Sequence, residues 1–151
     1  MQLASVRKMN DGTDALRVLV VEDSPAVADR LKEVLRELPG VSLVDTLNRE
    51  SAAIEKIALG GIDVIILDLH LARGTGFGVL RSIKSAAHAN NQAGDRPVAI
   101  IFTNYDLPEY RRQALALGAQ HFLDKARDFE RIPAVLSTIR DQRHARRPVT
   151  H

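Results

Sequence analysis

The sequence lacks cysteine, and it has no apolar run that approaches the roughly 20 residues a membrane-spanning helix needs. Without cysteine the chain can form no disulfide, no thiolate metal site and no cysteine nucleophile. Residues 1–16 contain charged side chains but no apolar block, which argues against a secretory signal. These absences favour a cytoplasmic protein in a reducing compartment.

Charge is nearly balanced over the whole chain. The formal net charge is +2, which is too small to indicate nucleic-acid binding. Arginines crowd the C-terminal end, and the favoured interpretation is a basic, flexible tail over residues 143–151, with weak contact to an acidic partner as the alternative. Residues 1–15 are predicted to be a disordered leader, which leaves residues 16–142 as one domain with a substantial core.

Apolar, strand-like segments alternate with helical periodicity along this domain. Such alternation predicts an α/β fold, a five-stranded parallel sheet with five helices on both faces. The polar, breaker-rich residues 88–97 are predicted to be a surface loop, and the last helix is predicted over about residues 128–142. The predicted strands cover residues 17–21, 41–47, 63–69, 98–103 and 120–124, with a helix after each.

Local signals mark several helix ends. Ser24 followed by Pro25 is typical of a helix start, with serine as the N-cap and proline at the first helical position. Gly118 suits the position just after a helix. Asp106 with Glu109 could form a capping box at the start of the fourth helix.

Polar residues stand where four of the predicted strands end. The carboxyl ends of parallel strands share one edge of the sheet, and ligands bind there where the strand order reverses. Three carboxylates at that edge favour a hard cation, Mg²⁺ before Zn²⁺, and a carboxylate can act as a nucleophile towards a phosphoryl group. Each residue alone has an ordinary explanation, such as a turn, a cap or a surface lysine. The residues are Glu22 and Asp23 after the first strand, Asp68 after the third, Thr103 at the end of the fourth and Lys125 after the fifth.

These segments resemble the receiver domain of two-component response regulators over residues 17–142. The acidic pair of that family matches Glu22-Asp23 in "RVLVVEDSPAVADRLKEVL", and its phosphoacceptor aspartate matches Asp68 in "DVIILDLHLARGTGFGVL". Its hydroxyl residue matches Thr103 in "VAIIFTN", and its lysine matches Lys125 in "HFLDKA". The resemblance implies a flavodoxin-like, doubly wound sheet with strand order 2-1-3-4-5.

The resemblance also implies roles at the site. Asp68 would accept a phosphoryl group from a histidine kinase, a phosphotransfer protein or a small acyl phosphate, with Lys125 balancing the charge of the phosphoryl oxygens. Mg²⁺ would be held by Asp23, Asp68 and the backbone carbonyl of His70, with Glu22 acting through water.

Two further pairs of residues are expected to govern switching and phosphate lifetime. Thr103 would swing towards the phosphoryl group and Phe122 would follow it inward, although a phenylalanine here can also be a core residue. His70 and Tyr105 match positions that flank the path of the hydrolytic water in this family, so we expect them to shield the aspartyl phosphate. Ordinary exposed loop residues are the alternative.

The sequence departs from the family pattern at two positions where proline is usual. Ala72 stands four residues after Asp68, and we therefore expect a more mobile loop around Gly74. Ala126 follows Lys125, so a cis peptide bond, which costs roughly 2.5–4 kcal/mol without proline, is not expected there. How Lys125 is aimed is left open.

The expected function is that of a stand-alone response regulator, a signalling phosphoacceptor rather than an enzyme. Only "QRHARRPVTH" follows the last predicted helix, which leaves no room for a DNA-binding domain. Phosphorylation of Asp68 would change the binding of a partner protein at the surface of the fourth helix, fifth strand and fifth helix. Homodimer formation on phosphorylation is left open.

Two other classes of function stay open. A phosphorylation-independent adaptor would use the fold as a scaffold, but it would have no need of the polar residues at the strand ends. A dehalogenase-like phosphatase would place a second aspartate two residues after its nucleophile, where this chain has His70. Nucleotide binding is disfavoured, because no G-x-x-x-x-G-K-[ST] segment occurs and the glycines of "RGTGFG" lack the required spacing.

Overall fold

Strands and helices alternate along the residues that the computed structural model describes, which are 15–90 and 96–146. A 3₁₀ turn, Phe129–Arg131, leads into the last helix. The strands are β1 (Leu16–Val21), β2 (Val41–Leu47), β3 (Val64–Leu67), β4 (Val98–Thr103) and β5 (His121–Asp124). The helices are α1 (Pro25–Glu37), α2 (Glu50–Ala58), α3 (Gly76–Asn90), α4 (Pro108–Ala116) and α5 (Ile132–Arg146).

The five strands form one parallel sheet in the order β2-β1-β3-β4-β5. This confirms the predicted fold class and strand order. The chain leaves β1 towards β2 on one side and returns to β3 on the other, so the order reverses between β1 and β3. The crevice at such a reversal is where open α/β sheets bind ligands, and it lies above Glu22 and Asp68.

Alternate strand residues enter two separate apolar cores, one on each face of the sheet, because successive side chains in a strand point to opposite faces. Both faces are covered, which explains why the strands read as nearly continuous apolar runs. One core takes Leu19, Val21, Ile65, Leu67 and Ile101 from the sheet, with Ala53 of α2, Leu80 of α3 and Ala114 of α4. The other takes Val18, Val20, Val64, Ile66, Ile100 and Phe102, with Leu31 and Leu35 of α1 and Ile132, Leu136 and Ile139 of α5.

The helix ends agree with most of the local signals. The Ser24 side chain accepts a hydrogen bond from the Val27 N–H at 3.3 Å, which confirms it as the N-cap of α1. Gly118 follows α4 with φ of 105°, a left-handed conformation that glycine adopts without strain. The predicted capping box is wrong, because the N-cap of α4 is Leu107 and no side chain caps it. Asp106 instead contacts arginine side chains, as described below.

Several predicted boundaries differ from the structure, and β3, predicted over residues 63–69, covers only Val64–Leu67. The helix α3 continues to Asn90, so the first part of the predicted loop 88–97 is helical, and residues 91–95 lie outside the described residues. The helix α5 begins at Ile132, after the 3₁₀ turn, and runs past residue 142 to Arg146. The predicted leader falls almost entirely on residues 1–14, outside the described part of the chain, as do residues 147–151 of the predicted tail.

A polar cluster at the amino edge of the sheet accounts for the longer last helix. Asp63, just before β3, accepts hydrogen bonds from the Arg17 N–H at 2.8 Å and from an Arg143 guanidinium nitrogen at 3.2 Å. Arg143 also donates to the Asp63 carbonyl at 3.1 Å. These bonds fasten the end of α5 to the edge opposite the predicted site. Within the described ranges, we find no helix with the length and apolar character needed to cross a membrane.

Candidate functional site

The sheet register sets the polar residues of the strand ends side by side. Val21 pairs with Leu67, so Glu22 and Asp68 come next on two neighbouring strands. The Asp68 N–H donates to the Val21 carbonyl at 2.9 Å, which continues the ladder one residue past β3. Thr103 pairs with Asp124, which brings Lys125 to the same edge.

Lys125 joins the two buried carboxylates at this edge. Its ammonium group lies 2.8 Å from Asp68 Oδ2 and 2.6 Å from Glu22 Oε2. The side chain of Lys125 is only 9% exposed, and those of Glu22 and Asp68 are 2% and 5% exposed. Glu22 Oε2 also accepts the Ser24 N–H at 2.9 Å, so one oxygen of this carboxylate is bound both by Lys125 and by the backbone. Buried charges of this kind persist only when they are paired.

The burial and pairing shift two pKa values. Burial raises the pKa of Glu22 above 4.5, and it outweighs the opposing hydrogen bond from Lys125. Burial lowers the pKa of Lys125, but the hydrogen bonds to Asp68 and Glu22 together outweigh it, so the pKa lies above 10.5. At neutral pH the lysine is therefore a cation held against Asp68.

A turn built from two aspartates aims Lys125 into the site. The Lys125 N–H donates to the Thr103 carbonyl at 2.9 Å. Asp124 Oδ1 accepts the N–H groups of Ala126 at 2.7 Å and Arg127 at 3.1 Å, and Asp128 Oδ2 accepts the Asp124 N–H at 2.9 Å. That last bond lowers the pKa of Asp128. The peptide bond before Ala126 is trans, as predicted, and these hydrogen bonds shape the turn that carries Lys125.

Asp23 stays apart from the Glu22–Lys125–Asp68 contacts. Its side chain is exposed and lines a groove of about 350 Å³ beside α1 and the β2–α2 turn. Across residues 15–90 and 96–146, no three acidic or histidine side chains are grouped closely enough to hold a metal ion. The chemical type of the ligands at this edge nevertheless suits a hard cation, because Mg²⁺ binds the oxygens of carboxylates and backbone carbonyls.

Thr103 and Phe122 lie in the sheet on the side of the site opposite Glu22. Thr103 is fully buried, and its hydroxyl accepts the Tyr105 N–H at 3.2 Å. Phe122 is 7% exposed and belongs to the apolar core. The guanidinium carbon of Arg111 lies 4.6 Å above the centre of the Phe122 ring, and Asp106 holds that guanidinium at 3.0 Å. No motif in the sequence had singled out Arg111.

An aromatic pair stands over the loop after the aspartate. The rings of His70 and Tyr105 are 4.0 Å apart between centroids, and Tyr110 lies 6.0 Å from His70. The His70 N–H donates to Asp68 Oδ1 at 3.3 Å. Tyr105 is nevertheless 46% exposed, so the pair forms the outer wall of the site.

The loop around Ala72 is fastened to the neighbouring turn. Ala72 N–H donates to the Asn48 carbonyl at 3.0 Å, and Arg73 carbonyl accepts the Glu50 N–H at 2.9 Å. The sequence predicts a mobile loop here because proline is missing, and the structure supplies these hydrogen bonds instead. Glu50 was not among the predicted site residues.

One family model and several curated proteins match this chain. The family model described as response regulator receiver domain matches residues 18–137. The sensory transduction protein LytT of Bacillus cereus is 28% identical over 137 residues, which are 90% of this chain and 52% of that protein. A protein-glutamate methylesterase/protein-glutamine glutaminase of Desulfotalea psychrophila is 31% identical over 121 residues, 79% of this chain and 31% of that protein. The chain thus spans about half, or less, of the length of these relatives.

Solved structures share the fold. The signal receiver domain of a putative Luxo repressor protein from Vibrio parahaemolyticus superposes with a TM-score of 0.71 and 25% identity, over 85% of this chain and 92% of that one. The response regulator domain of Thermotoga maritima CheB gives a TM-score of 0.70 and 23% identity, over 89% of this chain and 99% of that one. The fold is therefore one that these receiver-domain structures share.

Proposed function

The chain belongs to the response regulator receiver domain family, and on that premise we propose that it accepts a phosphoryl group on Asp68 and thereby changes its binding to a partner protein. The observation that carries the proposal is the Lys125 ammonium group, 2.8 Å from Asp68 Oδ2 at the carboxyl edge of the sheet. A buried cation beside a carboxylate is suited to neutralise charge that arrives with a phosphoryl group.

The proposed transfer needs little covalent chemistry from the chain. A carboxylate oxygen of Asp68 forms a bond to phosphorus, and the bond from phosphorus to the donor breaks. That bond is P–N in the phosphohistidine of a kinase or phosphotransfer protein, and P–O in a small acyl phosphate, and its electron pair leaves with the imidazole or carboxylate. Lys125 balances one phosphoryl oxygen and the Thr103 hydroxyl donates to another.

The proposal includes Mg²⁺. Asp23, Asp68 and the backbone carbonyl of His70 would hold it, with Glu22 acting through water, and it would neutralise the oxygens of the incoming phosphoryl group. Because Lys125 now contacts both Glu22 and Asp68, metal binding and the Lys125–Glu22 contact compete for the same carboxylate. When Mg²⁺ binds, Glu22 would therefore exchange its contact with Lys125 for one with a water molecule on the metal ion.

Switching would start at Thr103 and pass to the surface around α4 and β5. Movement of the Thr103 hydroxyl towards the phosphoryl group would break its bond from the Tyr105 N–H. Large apolar side chains are exposed beside this segment, with Leu107 at 44% and Leu115 at 48%. Exposed apolar side chains at the α4–β5–α5 surface support its use for partner contact, including a homodimer.

A phosphorylation assay tests the acceptor. The wild type should become labelled by acetyl phosphate with Mg²⁺, and Asp68→Ala should not, with Asp141→Ala as a control on the exposed side of α5. Phosphate-affinity gel electrophoresis gives the labelled fraction. Equal labelling of Asp68→Ala and wild type would overturn the assignment. Phosphotransfer profiling against the histidine kinases of the host then identifies the donor.

A phosphorylation-independent adaptor is the second candidate. The observation that favours it is that Lys125 already pairs with both Glu22 and Asp68, so each buried carboxylate has a partner within the chain. Pull-down titrations that compare the partner affinity of phosphorylated and unphosphorylated protein distinguish the switch from the adaptor. Affinity that changes on phosphorylation supports the switch, and equal affinity supports the adaptor.

That the protein is stand-alone and cytoplasmic stays a prediction. An immunoblot of fractionated host cells tests both, because it gives the size of the protein and the fraction in which it is found.

A further inference from the structure

The loop between β3 and α3, residues 68–75, is fastened to the first turn of α2. Arg49 and Arg73 form an isolated parallel bridge. On either side of it, the Glu50 N–H donates to the Arg73 carbonyl at 2.9 Å and the Ala72 N–H donates to the Asn48 carbonyl at 3.0 Å. The loop therefore adds a short strand-like pairing to the turn before α2.

The carboxylate of Glu50 makes a second attachment at the far end of the same loop. Glu50 Oε1 accepts the Thr75 N–H at 2.9 Å. Thr75 in turn caps α3, because its hydroxyl accepts the Gly78 N–H at 3.2 Å. The negative charge of Glu50 thus stands at the amino end of α3, where the helix dipole favours it.

Two glycines make room for this carboxylate. A Cβ atom on Gly78 would collide with Glu50 Oε2, and one on Gly74 would collide with the Glu50 Cβ. Gly78 lies inside α3, where alanine would be the better helix former. Its presence there is explained by the space that the Glu50 side chain occupies.

The fastened loop is the one that carries the phosphoacceptor. Its ends are drawn together by the Gly76 N–H, which donates to the Leu69 carbonyl at 3.0 Å, and by a bridge between His70 and Thr75. The His70 N–H donates to Asp68 Oδ1. A displacement of Thr75 is therefore passed across the bridge to His70 and on to the reacting carboxylate.

We propose that Glu50 is a positioning residue, which holds the His70 backbone and the Asp68 carboxylate in place through its bond to Thr75. The proposal rests on the function proposed above, since it concerns the geometry of the same acceptor. Glu50 touches neither the donor nor the phosphoryl group.

The first experiment compares Glu50→Ala, Glu50→Gln and the control Glu55→Ala, which removes the same side chain from an exposed position of α2. Glu50→Ala should slow phosphorylation by acetyl phosphate about tenfold, as is typical when a supporting hydrogen bond behind a site is lost. Glu50→Gln should restore most of the rate, because its amide oxygen can accept the Thr75 N–H. Glu55→Ala should match the wild type.

Amide hydrogen exchange of the unphosphorylated protein gives a readout that does not depend on phosphate. Exchange at residues 69–76 should rise in Glu50→Ala while the strands keep their protection. A uniform rise over the whole chain would mean that Glu50 only stabilises the fold, and would overturn the proposal. Wild-type exchange and wild-type rate in Glu50→Ala would overturn it as well.

A double-mutant cycle tests the contact itself. Gly78→Ala should push the Glu50 carboxylate away from Thr75 and slow phosphorylation about as much as Glu50→Ala. The double variant should be no slower than either single variant, because the same contact is lost only once. Fully multiplicative effects would overturn the proposal. If the wild type takes up no phosphate, the proposed function fails, and the exchange comparison alone then decides on Glu50.

Discussion

The imidazole of His70 packs against the phenol ring of Tyr105, with 4.0 Å between the ring centroids. The two residues come from the loops after β3 and β4, and the pair stands over the loop that carries Asp68. A close aromatic pair at this point would hinder a water molecule that approaches an acyl phosphate on Asp68.

Replacing both rings should shorten the lifetime of the phosphorylated protein. We expect His70→Ser/Tyr105→Ser to lose phosphate about tenfold faster, a change of about 1.4 kcal/mol in the barrier. The decay of labelled protein after removal of acetyl phosphate measures the rate. His144→Ser is the control, because His144 is exposed and lies far from Asp68. Its neighbour Arg143 binds Asp63 at the opposite edge of the sheet. An unchanged decay would show that the rings do not shield the phosphate.

Removing the site lysine should destabilise the fold at neutral pH. Lys125→Met leaves Glu22 and Asp68 buried without their cation, which should cost about 3 kcal/mol in the free energy of unfolding. Urea denaturation measures it, with Lys32→Met as the control at a more exposed site. The wild-type stabilisation is fully present below pH 10.5 and is lost as the pH rises through the raised pKa of Lys125, so Lys125→Met should lack this alkaline component. Equal stability of the two variants would contradict the pairing.

The raised pKa of Glu22 predicts a pH dependence of stability opposite to that of most carboxylates. Its contribution to the free energy of unfolding should be larger at acidic pH than at neutral pH. Burial raises its pKa above 4.5, so the folded state takes up the proton more readily than the unfolded state. This contribution to stability is fully present below pH 4.5 and is lost as the pH rises through the raised value. The stability of wild type relative to Glu22→Gln should therefore fall from pH 4 to pH 7, as urea titrations at several pH values would show. A stability difference between wild type and Glu22→Gln that rises with pH would contradict the raised pKa. Glu37→Gln serves as the control at an exposed position.

The contact between Arg111 and Phe122 should contribute to stability and hold the ring. Arg111→Ala removes the guanidinium over the ring and its bond to Asp106, so we expect a loss of about 1 kcal/mol in the free energy of unfolding. Arg112→Ala, at the exposed neighbouring position, should change stability little. NMR of the Phe122 ring should show faster motion only in Arg111→Ala. Equal losses in the two variants would argue against the contact.

The fold could be predicted because its signals are local and repeated. Each buried strand is apolar on both faces, and Ser24 and Gly118 mark helix ends by their own chemistry. The capping box failed because α4 takes Leu107 as its N-cap, while Asp106 contacts Arg111 in the first turn of α4 and Arg127, which only the folded chain brings to it. Tertiary ion pairs of this kind leave no trace in the local spacing.

The placement of the site was predictable in part. Parallel strands must end at one edge, so Glu22, Asp68 and Lys125 follow from the strand pattern, while their roles in phosphoryl transfer stay predictions. Asp23 was expected beside them; it is exposed and lines a groove together with Glu22, and its role in holding Mg²⁺ stays a prediction. The aim of Lys125 depends on hydrogen bonds from flanking turn residues. An aspartate on each side of the lysine, in "DKARD", was a signal that could have been read.

The close approach of Glu50 to Gly78 constrains which pairs of residues related proteins can have at these two positions. A Cβ atom at position 78 and the carboxylate of Glu50 would share one volume, so a lineage that gains a side chain at position 78 must move that carboxylate away. Natural variants should therefore exchange bulk between α2 and α3 as a pair, and a chain with bulk at both positions would lack the bond from the Thr75 N–H to the side chain at position 50.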